Sequence, residues 1–197
     1  MSEPVRAGGF GLRYGVMARQ VRTEAPVYVG LLRGVNVGGK NTMPMVELRG
    51  LFESLGFSDV RTFIQSGNVI FKSKQKPKSS FLEAAIVERF AISTHVVLRT
   101  SSEIGTVLKH NPFAIDEEAR VYVGFMAQKP SAAIVDALDH ERFGAERFAI
   151  VGAETYLYLP TGMGQSKLPS YLDRQLKIPT TVRNWNTVSK LIELTST

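Results

Sequence analysis

Hydrophobic residues form short runs, separated by turn residues, from position 26 onward. Four runs rich in β-forming residues predict strands at positions 27–32, 60–64, 69–71 and 95–98. Two stretches with apolar residues at helical spacing predict helices at positions 45–55 and 81–90. Gly56 is suited to the left-handed end of the first helix, and Ser66-Gly67 to a tight turn between two strands. The predicted order, βαββαβ, is the ferredoxin-like arrangement.

The second part of the chain repeats this order. Residues 121–124 repeat the tetrapeptide Val-Tyr-Val-Gly of residues 27–30, and a hairpin pattern recurs at 149–157. Arg99, which ends a strand and precedes apolar residues at helical spacing, has a counterpart in Arg183. Three elements that recur in the same order indicate an internal duplication.

These patterns predict an α+β protein with two tandem ferredoxin-like halves, at residues 26–110 and 111–197. Each half should end in an extra helix, at 101–109 and 186–194, and the halves should pack as a pseudo-duplicated unit. Residues 1–25 are rich in arginine and have little apolar periodicity, which predicts a flexible N-terminal extension.

Alternation along the first strand places apolar residues on both faces of its sheet. Val29 and Leu31 point to one face, and Tyr28 and Leu32 to the other. Because Tyr122 repeats Tyr28, we expect this second face to be covered in both halves by the other half, an extra helix or a partner subunit.

Composition excludes several classes of function. None of the apolar runs in the 197 residues approaches the roughly 20 residues of a membrane span, and no signal-peptide pattern is present, so a cytoplasmic protein without membrane contact is expected. The absence of cysteine and the scattered positions of three histidines predict no metal site, and no cofactor is predicted. A formal charge of +6 is compatible with anionic partners.

The densest polar cluster is the loop at 33–41, which joins a predicted strand to a predicted helix. Glycines, asparagines, Arg33 and Lys40 could together hold an anion through backbone N–H groups and two positive charges. The loop does not follow the phosphate-binding spacing G-x-x-x-x-G-K-[ST], because Asn41 follows Lys40. It is equally suited to forming a tight turn and capping the next helix through Asn41 or Thr42.

Several segments together carry a resemblance to a known family. They are residues 32–39 (Leu-Arg-Gly-Val-Asn-Val-Gly-Gly), 63–71, 110–113, 164–168 and 183–187 (Arg-Asn-Trp-Asn-Thr). From Val27 to Leu194 the chain resembles the bacterial proteins called domain of unknown function 1697. The resemblance implies an α+β fold with ferredoxin-like halves, and it implies no catalytic residue or established activity.

Three functions are compatible with the residues. The first is binding of a small phosphorylated or carboxylated ligand. The second is binding of nucleic acid on the tandem sheets, and the third is a structural or protein-interaction role; no catalytic arrangement is predicted. The candidate ligand-binding residues are Arg33, Asn36, Gly38, Gly39, Lys40, Asn41, Gln65, Ser66, Asn68, Ser166, Lys167, Arg183, Asn184 and Asn186.

Overall fold

The fold consists of two similar α+β halves in tandem. A computed structural model describes residues 24–39, 41–113 and 120–196. The first half contains β1 (Val27–Leu32), α1 (Met45–Ser54), β2 (Ser58–Phe63), β3 (Asn68–Lys72), α2 (Ser79–Phe90), β4 (Val96–Thr100) and α3 (Ser101–Val107). The second half contains β5 (Val121–Met126), α4 (Ala132–Asp136), β6 (Arg147–Val151), β7 (Glu154–Tyr158), α5 (Leu168–Leu176), β8 (Thr180–Asn184) and α6 (Trp185–Thr195).

Each half has one four-stranded antiparallel sheet. The strand orders are β2-β3-β1-β4 and β6-β7-β5-β8, so the two sheets have the same topology. The repeated tetrapeptide lies in β1 and β5, the strands that pair on both sides. The prediction of two ferredoxin-like halves, each followed by a helix, is confirmed.

One face of each sheet is covered by helices of the same half. Tyr28 and Leu32 pack in a core with Phe52 of α1 and Ile86 of α2. In the second half the equivalent face packs mainly against α5. The prediction that this face is covered by the other half, an extra helix or a partner was therefore wrong. Both faces of these strands are apolar, so alternation alone could not tell which one meets the crossover helices.

The opposite faces of the two sheets share a single core that joins the halves. Val29 and Leu31 of β1 and Phe125 of β5 are fully buried there. The extra helices α3 and α6 complete this core, to which α6 contributes Trp185, with 7% of its surface exposed. The halves are therefore held together by apolar packing as well as by the polar contacts described below.

The helix ends are set by local residues, but the residues expected to cap the start of α1 do not do so. Gly56 has φ of +86° directly after α1, as predicted. The N-cap of α1 is Pro44, without a side-chain capping hydrogen bond, so neither Asn41 nor Thr42 caps this helix. At α3, by contrast, Thr100 and Glu103 form a reciprocal capping box.

The N-terminal extension predicted at 1–25 lies outside the described residues except for positions 24 and 25. Among the residues that the structure describes, no helix has the length and apolar character needed to cross a bilayer.

Candidate functional site

The loop between β1 and α1 is organised by Asn36. This residue has φ of +54°, a conformation that asparagine tolerates better than most residues. Its Nδ2 donates to the carbonyl oxygens of Met43 (2.9 Å) and Gln65 (2.8 Å), and its Oδ1 accepts from the Met43 N–H at 2.7 Å. The Asn36 side chain thus closes the loop on itself and fastens it to the β2–β3 turn.

Val35 of the loop is buried, whereas the loop glycines, Val37 and Asn41 are exposed and shaped by backbone conformation. Gly38 and Gly39 have φ of +57° and +73°, and no atom of a described residue lies within 4 Å of the position that a Cβ would take at either. Asn41 also has positive φ, and its Nδ2 donates to the Gly34 carbonyl at 3.0 Å. Lys40 lies outside the described residues. The side-chain amides of Asn36 and Asn41 therefore form hydrogen bonds that stabilise the loop and its contact with the neighbouring turn.

Arg33 reaches from this loop to the second half of the molecule. Its Nη2 donates to both carboxylate oxygens of Asp173 in α5, at 2.9 Å and 2.8 Å. The side chains of Arg33 and Asp173 are 39% and 44% exposed. Of the five N–H donors of an arginine, those on Nε and Nη1 make no hydrogen bond to any described residue.

Beside this ion pair lies a cavity of about 250 Å³, which we call the Arg33 pocket. Its floor is the face of the second sheet that carries Gly124 in β5, and its wall is α5. A strand glycine leaves room for a close neighbour because it has no side chain to fill the space. The lining residues are Arg33, Gly124, Thr155, Leu157, Pro169, Ser170, Leu172, Asp173, Leu176, Thr180 and Val182. The pocket is thus mostly apolar, with one charged pair at its edge.

Arg183 is buried between the halves and is fully hydrogen-bonded. Only 7% of the residue is exposed. Its Nε donates to Asn68 Oδ1 (2.6 Å), its Nη1 to Thr181 Oγ1 and the Val182 carbonyl, and its Nη2 to the carbonyls of Leu32 and Ser66. Every acceptor is neutral. Burial lowers the pKa of Arg183 to about 10, so the side chain still carries its charge at neutral pH.

Arg99 makes the reciprocal contact at the other end of the interface. From β4 it crosses to the second half, where its Nη2 donates to the carbonyls of Met126 (2.8 Å) and Ala153 (3.1 Å). Its Nε donates to the Glu154 carboxylate at 2.8 Å. In the duplicated fold, Glu154 begins β7 as Asn68 begins β3. One buried arginine therefore has a carboxylate partner, while its counterpart has an amide.

Comparison with known proteins places this pair of ferredoxin-like halves in a family. The family model described as "Protein of unknown function (DUF1697)" matches residues 26–156. The chain belongs to the DUF1697 family. The resemblance inferred from the sequence motifs is thereby confirmed.

A solved structure shares the fold of this DUF1697 protein. It is that of a conserved bacterial protein from Streptococcus pneumoniae, which is 22% identical, with a TM-score of 0.69. The alignment covers 88% of this chain and 99% of that one. Among proteins with curated functions, none matches this chain. The comparisons establish family and fold, and they assign no activity.

The other predicted residues have local roles or lie exposed. Ser66 accepts from Asn68 through its hydroxyl, and Ser166 donates to Glu146 while accepting from the Leu168 N–H. Asn184 caps α6 by accepting from the Thr187 N–H at 2.8 Å. Three further predicted residues have exposed side chains: Gln65, Lys167 and Asn186.

The residues of α5 that line the Arg33 pocket were not predicted from the sequence. Asp173 and Ser170 belong to an ordinary amphipathic helix, and nothing in their spacing marks them as part of a site. The available signal was Gly124, a glycine inside a strand otherwise made of large valine, aromatic and methionine side chains.

Proposed function

We propose that this DUF1697 protein binds a small anionic molecule, with a carboxylate on an apolar body, in the Arg33 pocket. The observation that carries the proposal is the position of Arg33 at the edge of an apolar pocket, with donors on Nε and Nη1 that no described residue uses. Ligand sites of this kind combine apolar walls with a few fixed polar groups.

Local charge favours a single carboxylate over a phosphate dianion. Arg183 donates to the carbonyl of Leu32, the residue before Arg33, and no described carboxylate pairs with it. Arg183 and Arg33 contribute two positive charges, and Asp173 removes one. A monoanion would balance the one remaining positive charge, whereas a dianion would exceed it and leave net negative charge beside Asp173. An amino group on the same ligand would complement Asp173.

The loop that follows Arg33 is fixed in place by its own hydrogen bonds. Asn36 fixes the loop to the β2–β3 turn, and that turn accepts from Arg183 through the Ser66 carbonyl. These contacts hold the backbone that carries Arg33, which limits the entropy lost when a ligand binds.

Nucleic-acid binding on the tandem sheets has less support from the structure. Stacking of bases needs exposed aromatic residues on an open sheet. Tyr28 is 6% exposed beneath α1 and α2, and the opposite sheet faces are buried in the core between the halves. A structural or interaction role without a small-molecule site remains the other alternative.

The test compares a carboxylate with its neutral amide. Calorimetric titration with 4-methylpentanoate and with 4-methylpentanamide separates the charge from the apolar body. Arg33→Ala should weaken carboxylate binding by roughly tenfold or more, because charge-assisted hydrogen bonds are lost. Arg174→Ala is the matched control, since it removes an exposed arginine of α5 outside the pocket lining and should change affinity less than about twofold. Equal binding of amide and carboxylate, or an equal loss in both variants, would contradict the proposal.

A further inference from the structure

A second, more polar cavity lies between the halves at the Arg99 end of the interface. We call it the inter-half cleft; its volume is about 580 Å³, within the range of ligand sites. Its walls come from β4 and α3 of the first half and from the turn between β6 and β7 of the second. Arg99 and Glu154 lie in its lining.

The duplication explains why the cleft is open at this end. Beside Arg183, the turn between β2 and β3 has four residues, 64–67, and the loop held by Asn36 is fastened to it. Beside Arg99, the turn between β6 and β7 consists of Gly152 and Ala153 alone. A shorter turn fills less space, so the two ends of a pseudo-symmetric interface differ in shape.

The carboxylates of the cleft are already used within the fold. Glu154 accepts from Arg99 at 2.8 Å. Glu103 accepts from the N–H and the hydroxyl of Thr100, at 2.7 Å and 3.1 Å, in the capping box of α3. Arg99 offsets the charge of Glu154, whereas Glu103 keeps its negative charge, which the positive charges of Lys76 and Arg99 partly counter.

Three donors in the lining make no hydrogen bond within the described part of the fold. They are Lys76, Ser79 and His110, of which Lys76 acts on Glu103 through its charge alone. They come from the linker before α2, from the first residue of α2 and from the turn after α3, so they approach the cleft from different elements. Ser79 also starts a helix whose N-cap makes no side-chain hydrogen bond, which adds partial positive charge nearby.

We propose that the inter-half cleft binds the phosphate group of a small phosphorylated molecule through Lys76, Ser79 and His110. A tetrahedral phosphate accepts several hydrogen bonds from different directions, which suits donors on three elements better than a planar carboxylate does. The site is separate from the Arg33 pocket and does not depend on it.

The experiment uses the full chain and inorganic phosphate as the probe. Binding is followed in ¹H–¹⁵N spectra, with sodium chloride at equal ionic strength as the reference. We expect saturable shifts of the Ser79 and Gly152 amides with phosphate and not with chloride. Lys76→Ala should weaken phosphate binding roughly tenfold, and His110→Ala by a smaller factor.

Two controls each remove an exposed lysine that lies near these residues in the chain. Lys74→Ala alters the same linker, and Lys109→Ala the same turn; both side chains are exposed and lie outside the cleft lining. Each should change phosphate affinity by less than about twofold. An equal loss in Lys74→Ala and Lys76→Ala, or phosphate shifts no larger than those of chloride, would overturn the proposal. Arg33→Ala should leave phosphate binding unchanged, which separates this result from the test of the Arg33 pocket.

Discussion

Replacement of Arg183 by alanine is the sharpest test of how the halves are held together. The substitution removes all five donors of a buried guanidinium. Asn68 Oδ1, in a residue with no exposed surface, loses its donor, and so does the Ser66 carbonyl. The Leu32 carbonyl keeps one hydrogen bond, from the Thr181 hydroxyl at 3.0 Å.

The expected loss of stability follows from these unsatisfied groups. Each buried acceptor left without a donor costs about 1–3 kcal/mol, so the loss at Asn68 and Ser66 together is about 2–6 kcal/mol. For a chain of this size that corresponds to a fall in Tm of roughly 4 to 24 °C. Since burial lowers the folded-state pKa of Arg183 to about 10, below its ordinary value, stability linked to its titration would change only above that pH. A change in the free energy of unfolding measured at neutral pH therefore reflects the loss of the charged side chain itself.

The assay is urea unfolding at neutral pH of the wild type, Arg183→Ala, Arg99→Ala and the exposed control Arg174→Ala. Arg99→Ala should be as destabilising, because it leaves the Glu154 carboxylate unpaired, with its side chain only 19% exposed. Adding Glu154→Gln should recover part of that loss, since the amide carries no charge. A loss below about 1 kcal/mol in Arg183→Ala, comparable to the exposed control, would refute the inference that this network joins the halves.

Three further predictions concern local structure. Asn184→Ala removes the cap of α6 and should lower the free energy of unfolding by about 0.5–2 kcal/mol in urea; no change would contradict the capping role. Ile64 has φ of +48°, a strained conformation for a β-branched residue, and its side chain is 47% exposed, so Ile64→Asn should not lower Tm; a clear fall would show that its contacts outweigh the strain. Burial raises the pKa of Glu103, but hydrogen bonds from Thr100 and the positive charges of Lys76 and Arg99 together lower it more, to below 4.5. The ionised Glu103 carboxylate therefore contributes its full stabilisation above pH 4.5, and this contribution is lost as the pH falls through the folded-state pKa. Glu103→Gln should therefore make the free energy of unfolding less dependent on pH in the acid range. The same pH dependence in wild type and variant would contradict this.

The architecture was accessible from sequence because it depends on local periodicity and on repetition. The strand and helix order followed from apolar spacing, and the parallel between Arg99 and Arg183 followed from the duplication. What these arginines contact was not accessible, because their acceptors are carbonyls and side chains of the other half, far away in the chain.

The candidate site was harder to predict for a related reason. Asparagine suits both ligand binding and loop closure, and only the positions of Met43 and Gln65 show that Asn36 closes the loop. The apolar part of the Arg33 pocket depends on α5 lying over Gly124, a packing relation that no local pattern encodes.

The most direct measurement of the proposed function is a ¹H–¹⁵N titration of the wild type and Arg33→Ala with 4-methylpentanoate. We expect saturable shifts of the Gly124, Ser170 and Thr180 amides, which line the Arg33 pocket, and the loss of these shifts in the variant. Shifts confined to the loop at 34–39 or to the lysine-rich linker at 72–78, or the same shifts in both proteins, would contradict the proposed function.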